Sequence, residues 1–288
     1  MTLDNAFARA APARPRLGRR NLDKLGRFLA AAMLPRRLSI RLALIAFSLA
    51  LMSLGSAAQA QYSRPAERVI TRAFAATGGS GWYMLRGWHE TGQKDSVAYD
   101  SWIDPVRYGL RTEVRDAQGL RILGFNGQAA WEVAPNGAIS AVNDHATLVK
   151  ARTEAFFAAN CYFFRSRFDA RGDYVGVRNL GGRGFDVVRI QPWGGAPREL
   201  WFEQKSGLLA RIVDRTGPRA AAVRVSDYRK VGPVLIAFRL TAETGGAGAD
   251  ALARQREALV FAPVSRDRFS LNRPDELARV AAARPAAR

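Results

Sequence analysis

The sequence is short of the residues that most site chemistries need. Among 288 residues there is one cysteine, Cys161, and there are two histidines, His89 and His145. One cysteine cannot form an internal disulfide. The two histidines fall in different expected elements, with no Cys, Asp or Glu at metal-ligand spacing, which argues against a zinc site. No G-x-S-x-G elbow occurs. Gly78-Gly79-Ser80-Gly81 lacks the lysine and strand context of a phosphate loop, and Gly181-Gly182-Arg183-Gly184 opens no helix. The acidic residues Asp95, Asp100, Asp104, Glu113 and Asp116 alternate with apolar ones, which puts them on solvated strand faces rather than in a glycosidase pair. No Asp-Thr-Gly or Asp-Ser-Gly is present, so aspartic-protease chemistry is removed. The expectation is a protein without catalysis of its own and with no cofactor and no bound metal.

A membrane span is missing too. Arg36, Arg37 and Arg41 precede an uncharged run, Leu42–Leu54, which is followed by Ala58-Gln59-Ala60. Basic, apolar, then small-x-small is the order of a secretory signal peptide, cleaved here after Ala60. The apolar run is shorter than the ~20 residues a spanning helix requires. Residues 1–60 are therefore read as an extension plus signal peptide, with Met33 as a possible true start. Residues 61–274 are read as one domain and residues 275–288 as a flexible tail. The expected location is the periplasm, and the expected state is a monomer.

Lysine is rare as well, so the formal charge of +19 comes mostly from arginine. Residues 1–60 hold ten Lys/Arg and two Asp/Glu, a net +8, which leaves +11 for the remainder. Codon bias explains an Arg-, Ala-, Gly- and Pro-rich composition. The functional alternative is attraction to an anionic membrane surface. Nucleic acid is not expected as a partner, because the chain carries an export signal and no recognition helix or basic-aromatic motif.

What the sequence has in quantity is short apolar-patterned runs. Glu199–Tyr228 reads ELWFEQKSGLLARIVDRTGPRAAAVRVSDY. Three runs with a period of two are separated by Lys205-Ser206-Gly207 and Thr216-Gly217-Pro218, the pattern of a β-meander. Further strands are expected at Met84–Thr91, Ser96–Ile103, Tyr108–Arg115, Leu120–Phe125, Ala129–Val133, Tyr174–Arg178, Phe185–Ile190, Val234–Thr241 and Arg256–Ala262. Asn126-Gly127 signals a two-residue hairpin. Helices are expected at Pro65–Ala76, with Pro65 in the first turn, and at Ala146–Ala159, capped by Asn143-Asp144. Thr244–Ala253 is expected to be mobile, and the tail from Pro274 to be frayed. Ten to eleven strands with two helices indicate a mainly β fold, a strongly curved antiparallel sheet or incomplete barrel with a helical lid.

Such a fold can line an apolar cavity with one sheet face. Parity within strands selects Trp131, Val133, Leu200, Phe202, Val223, Val225, Ile236 and Phe238 as cavity candidates, and Phe156 and Phe157 as lid candidates. The plain alternative for all of them is a packed core.

The run Leu200-Trp201-Phe202-Glu203, Ser206-Gly207-Leu208-Leu209 and Asp214–Gly217 resembles the periplasmic lipoprotein-carrier family (LolA/LolB-like), as does the closing Phe269–Pro274. Phe125–Trp131 and Ser226–Val231 are similar to a bacterial subgroup in which this domain precedes a retropepsin-like protease, a part absent here. The resemblance spans most of Pro65–Pro274. It implies an open β-barrel with a helical lid over a cavity that shields acyl chains, and hence a lipid or an acylated protein as partner. Three readings stay open: a carrier of a lipid or lipoprotein acyl chain, a sensor module that binds a protein partner, and a hydrolase if a Ser or Asp stands beside a histidine.

Overall fold

The computed structural model describes residues 62–142, 144–243 and 251–283. The expected signal peptide, its cleavage point and Asn143 lie outside the described residues. Within them, thirteen strands form one sheet in the order β6-β5-β4-β3-β2-β1-β13-β12-β11-β10-β9-β8-β7, with every neighbouring pair antiparallel. The strands are β1 (Trp88–Lys94), β2 (Val97–Asp104), β3 (Gly109–Asp116), β4 (Gly119–Phe125), β5 (Ala130–Val133), β6 (Ile139–Val142), β7 (Ala170–Leu180), β8 (Arg183–Pro192), β9 (Arg198–Glu203), β10 (Leu209–Asp214), β11 (Ala221–Val231), β12 (Val234–Glu243) and β13 (Ala251–Phe261). Three helices accompany them: α1 (Arg64–Ala76), α2 (His145–Ala158) and α3 (Arg273–Ala282).

The order divides the sheet into two meanders. β1 to β6 pair each with the next, as do β7 to β13, and the two halves meet at β1 and β13. The sheet is not closed, because β6 and β7 are its two edges. It nevertheless curls, as a sheet this wide must. Trp88 and Ile103 from β1 and β2 share one core cluster with Val188 and Ile190 of β8. Helix α2 contacts β4, β5 and β8, and so bridges strands far apart in the sheet order. This is the mainly β, incompletely closed sheet with helical cover expected from the sequence.

α1 forms where Pro65 presets the first turn and Ala66, Val69, Ile70 and Ala73 recur on one face; all four are buried. Burying Val69 and Ile70 contributes roughly 1.5–3 kcal/mol each. The helix stops at Thr77, whose hydroxyl donates to the Ala73 carbonyl at 2.8 Å, and Gly78 then takes φ 122°. A 3-10 turn, Gly79–Met84, follows. It packs closely on the β11–β12 turn: a Cβ at Gly78 would lie 2.5 Å from the Pro233 carbonyl oxygen, and one at Gly81 2.8 Å from the Pro233 side chain. α2 is capped by Asp144, whose carboxylate accepts from the Thr147 amide at 2.9 Å.

Several expectations require correction. Met84 ends the 3-10 turn rather than opening a strand, and β1 starts at Trp88, because the Gly-rich approach favours tight turns. Asn126-Gly127 is part of a four-residue loop, in which the Asn126 side chain accepts from the Gln128 and Ala129 amides. Of the stretch expected to be mobile, 251–253 belong to β13, and the remainder is outside the described residues. The tail read as frayed from Pro274 contains α3, with Pro274 at its start and Glu276 and Val280 buried. β6 was not expected, being only four residues long.

Candidate functional site

The main core lies on the inner face of the curled sheet, beneath α1 and α2. Within it is a cavity of about 80 Å³. Its roof is Ala73 and Thr77 of α1, Trp82 of the 3-10 turn, and Phe157, Ala158, Asn160, Tyr162 and Phe163 around the end of α2. Its floor is Leu200 and Phe202 of β9, Leu209 and Ile212 of β10, Val225 and Tyr228 of β11, and Leu235, Ile236, Ala237 and Leu240 of β12, with Arg256 of β13 at one side. The aromatic rings are mutually engaged: Trp82 and Phe163 are 5.2 Å apart, and Tyr162 and Phe163 4.6 Å.

The polar groups at this cavity are satisfied by the protein. The Trp82 indole N–H donates to the Thr77 hydroxyl at 3.0 Å, Tyr162 donates to Asn160 Oδ1 at 2.7 Å, and Tyr228 to the Leu209 carbonyl at 2.8 Å. Arg256 Nε donates to Glu90 at 2.7 Å, and its guanidinium also reaches the Ala237 carbonyl. Glu90 is 0% exposed and accepts further from Tyr99 at 3.2 Å and Arg254 at 3.4 Å. Burial acts to raise the Glu90 carboxyl, but the two guanidiniums and their hydrogen bonds outweigh it and hold the group below the usual carboxylate range. Arg256 is kept protonated by the same pairing, against its own burial. Of the two arginines on Glu90, Arg256 is the one in the cavity lining.

The covering helices are fastened by polar contacts along their length. Arg72 of α1 donates to Asp186 of β8 at 2.6 Å, and Tyr174 and Gln204 join the same carboxylate. On α2, the Arg152 carbonyl accepts from Tyr108 at 2.6 Å, the Thr153 hydroxyl accepts from the Ala196 amide at 2.7 Å, and Glu154 pairs with Arg198 at 2.6 Å.

Of the residues singled out by parity, Leu200, Phe202, Val225 and Ile236 come together on this cavity, and Phe157 reaches it from the lid. Phe238 is buried in the surrounding core and is covered by the Arg229 guanidinium at 4.5 Å. Val223, half-buried, pairs with Ile212 and does not reach the cavity lining. Phe156 is buried between Tyr108 and Phe157 rather than at the cavity. Trp131 and Val133 lie on the outer face, in a separate cluster with Leu120, Ile122 and Val280 of α3. Parity fixes which residues share a face within a strand, not which face turns inward. Sequence reading did not find Trp82, Glu90 and Arg256.

The outer face of β1 to β5 carries a different arrangement. His89, Trp102, Arg111, Gly124 and Trp131 are cross-strand neighbours in one row. His89 stacks on Trp102 at 4.6 Å and pairs through Nε2 with Asp100 at 2.9 Å. The neighbouring Ser101 hydroxyl points to the other side of the strand, to Thr112 at 2.9 Å. Arg111 lies between Trp102 and Trp131, 6.0 and 5.5 Å from the rings, and is bidentate to Glu276 at 2.6 and 2.7 Å. Trp131 lies across Gly124, where a Cβ would come within 2.1 Å of the ring. Among the described residues, no group of three or more His, Cys, Asp or Glu is placed to hold a metal. Nor, among them, is any helix long and apolar enough to cross a membrane.

No family model matches the chain, and no curated protein matches it. Solved structures that superpose on it include a LolA superfamily protein from Nitrosomonas europaea, at 9% identity over 72% of this chain and 98% of the other, with a TM-score of 0.47. A DUF1329 family protein from Desulfovibrio piger superposes at 10% identity over 72% and 98%, with a TM-score of 0.45. The first carries the name of the family that the Leu200–Gly217 motifs resemble. At TM-scores below 0.5 such a likeness is one of coarse layout alone.

Proposed function

We propose that this chain is a non-enzymatic, exported binding protein that takes a lipid or lipoprotein acyl chain between the inner face of its sheet and the cover formed by α1 and α2. The observation that carries the reading is the cavity itself, lined by Trp82, Phe157, Phe163, Leu200, Phe202 and Ile236 and roofed by separate elements rather than by sheet. Its volume of about 80 Å³ is well below the ~300–1,000 Å³ of sites that hold drug-sized ligands. Acyl entry therefore requires roof side chains such as Phe157 and Phe163 to give way. The Arg256 guanidinium in the lining suits an ester or carboxylate at the ligand's polar end. The periplasm fits the signal-peptide pattern before Gln61.

The hydrolase reading rests on His89 and Asp100. They form a dyad, but among the described residues no Ser, Thr or Cys hydrogen-bonds His89, and the dyad stands on the outer face, away from the cavity. A nucleophile is what such a dyad would have to activate.

A sensor module that binds a protein partner is favoured by a specific observation: the cavity is small, and the outer edge of β7 is partly open. Tyr62 bridges Gly172 at the start of β7, while Val177 and Leu180 further along are exposed. Native mass spectrometry with lipid extraction, on protein secreted through its own signal sequence, separates the two. A co-purified acyl species that disappears in Phe202→Asp supports the carrier reading. An apo mass that resists loading with lipid overturns it in favour of partner binding.

A further inference from the structure

The 3-10 turn after α1 presents one side to the cavity and the other to solvent. Trp82 is buried in the cavity wall, whereas Tyr83 and Met84, the next two residues, are 53% and 72% exposed. Among the described residues they are the only adjacent pair of large apolar side chains that are both exposed. Their exposure is built in. The Tyr83 ring rests on Phe74 at 5.3 Å and Phe164 at 5.7 Å, and the turn is seated on Pro233 through Gly78 and Gly81.

The surroundings are basic. From Arg68 to His89 the sequence has no acidic residue but has three arginines, Arg68, Arg72 and Arg86. Arg72 is taken up by Asp186, while Arg68 and Arg86 are exposed. Arg167, also exposed, lies 5.1 Å from the Phe164 ring that supports Tyr83. Tyrosine is suited to the level of lipid headgroups, methionine to the acyl boundary beneath, and arginine to phosphate. The acidic residues that flank this stretch, Glu67 and Glu90, are paired with arginines, and a two-residue apolar protrusion among exposed arginines fits a lipid interface better than a soluble partner protein.

We propose that the Gly79–Met84 turn docks the protein on an anionic phospholipid surface, with Tyr83 and Met84 entering the interface and Arg68, Arg86 and Arg167 among the headgroups. The proposal extends the acyl-binding reading, on which its purpose rests: the docked turn carries Trp82, so the cavity wall itself stands at the lipid surface.

The test is co-sedimentation of the full chain with phosphatidylglycerol-containing vesicles and with pure phosphatidylcholine vesicles. The wild type is expected to sediment with the first and not the second. Tyr83→Ser/Met84→Ser is expected to weaken partition about tenfold or more, and Arg86→Gln about fivefold, the equivalent of one headgroup contact. Trp193→Ser, which changes an exposed tryptophan elsewhere, is expected to leave partition unaltered. An unchanged melting temperature in the double variant excludes misfolding. Wild-type-like sedimentation of that variant overturns the proposal and assigns any binding to another basic region. Equal wild-type binding to phosphatidylcholine also overturns it. So does an oligomer that the double substitution dissolves without vesicles, which would make the patch a contact between copies. Loading of an acyl chain from detergent micelles, read by native mass, is expected to survive the double substitution and to fail in Phe202→Asp. Failure of docking and failure of the cavity reading are thus seen separately.

Discussion

The two faces of the sheet are covered by opposite means. On the inner face, α1 and α2 meet the strands through aliphatic and aromatic side chains, and their ion pairs sit at the margins, at Arg72–Asp186 and Arg198–Glu154. On the outer face, α3 packs Val280 on β4 and β5 and adds to that apolar contact a charged centre on β3. Arg111, 2% exposed, is held by Glu276 and Glu113 while Arg279 pairs with Glu113, and the two tryptophans flank the guanidinium. A bidentate ion pair admits essentially one geometry. Apolar packing tolerates rearrangement at a smaller cost. The difference teaches where the molecule can yield: under α1 and α2, where the cavity is, and not under α3.

The largest expected effect is on the outer lock. Glu276→Ala leaves Arg111 short of its bidentate partner in a buried site and is expected to cost about 3–5 kcal/mol, read from the urea midpoint. Replacing both charges, Arg111→Met with Glu276→Leu, is expected to recover most of that loss. If the single and double variants are equally unstable, the lock is not electrostatic and the contrast between faces fails. On the inner face, Ala158→Leu adds bulk beside the cavity from a helical position. Stability is expected to fall by about 1–3 kcal/mol, while uptake of a fluorescent apolar probe is lost. Retained uptake would mean that the probe enters elsewhere.

Acid is expected to loosen the inner cover. Glu90, Asp186 and Glu154 are all on the inner side, and in each burial acts to raise the carboxyl while arginine pairing and hydrogen bonds prevail and lower it. A carboxyl depressed in the folded state contributes stability above its unfolded value, about 4, and loses it as pH falls through the folded value. The urea midpoint is therefore expected to be level above about pH 5 and to fall below about pH 4, with faster amide exchange in α1. Unchanged exchange in α1 below about pH 4 would contradict the assignment of these groups to the inner cover. The smallest effect is expected for Trp193→Ser, at a tip where the side chain is 79% exposed: less than about 0.5 kcal/mol in thermal unfolding.

Much of this architecture can be read in the sequence, and the parts that cannot have physical reasons. Glu199–Tyr228 is legible because its alternation and its Gly and Pro punctuation act locally. Leu200 and Phe202 were recognisable as partners for the same reason. Trp131 and Val133 were not separable from them, because sidedness is decided by the curl of the whole sheet and by α3. That helix has its own signals, Pro274 at the start, Asp275 and Glu276 in the first turn and Arg279 in the last, but an Ala- and Arg-rich setting obscures them. Arg256 and Glu90 are opaque from sequence because they lie 166 positions apart and become a pair only when β13 meets β1.

That meeting has a consequence for how the chain assembles. Within each meander every strand finds its partner a short loop away, whereas β1 and β13 must be brought together across a separation such as the 166 positions between Glu90 and Arg256. Local pairing is fast and distant pairing slow, because loop closure comes before any contact rewards it. The β1–β13 seam is therefore expected to be the late step. Since Glu90 and Arg256 straddle it, the charged wall of the cavity comes into existence only when folding is nearly complete.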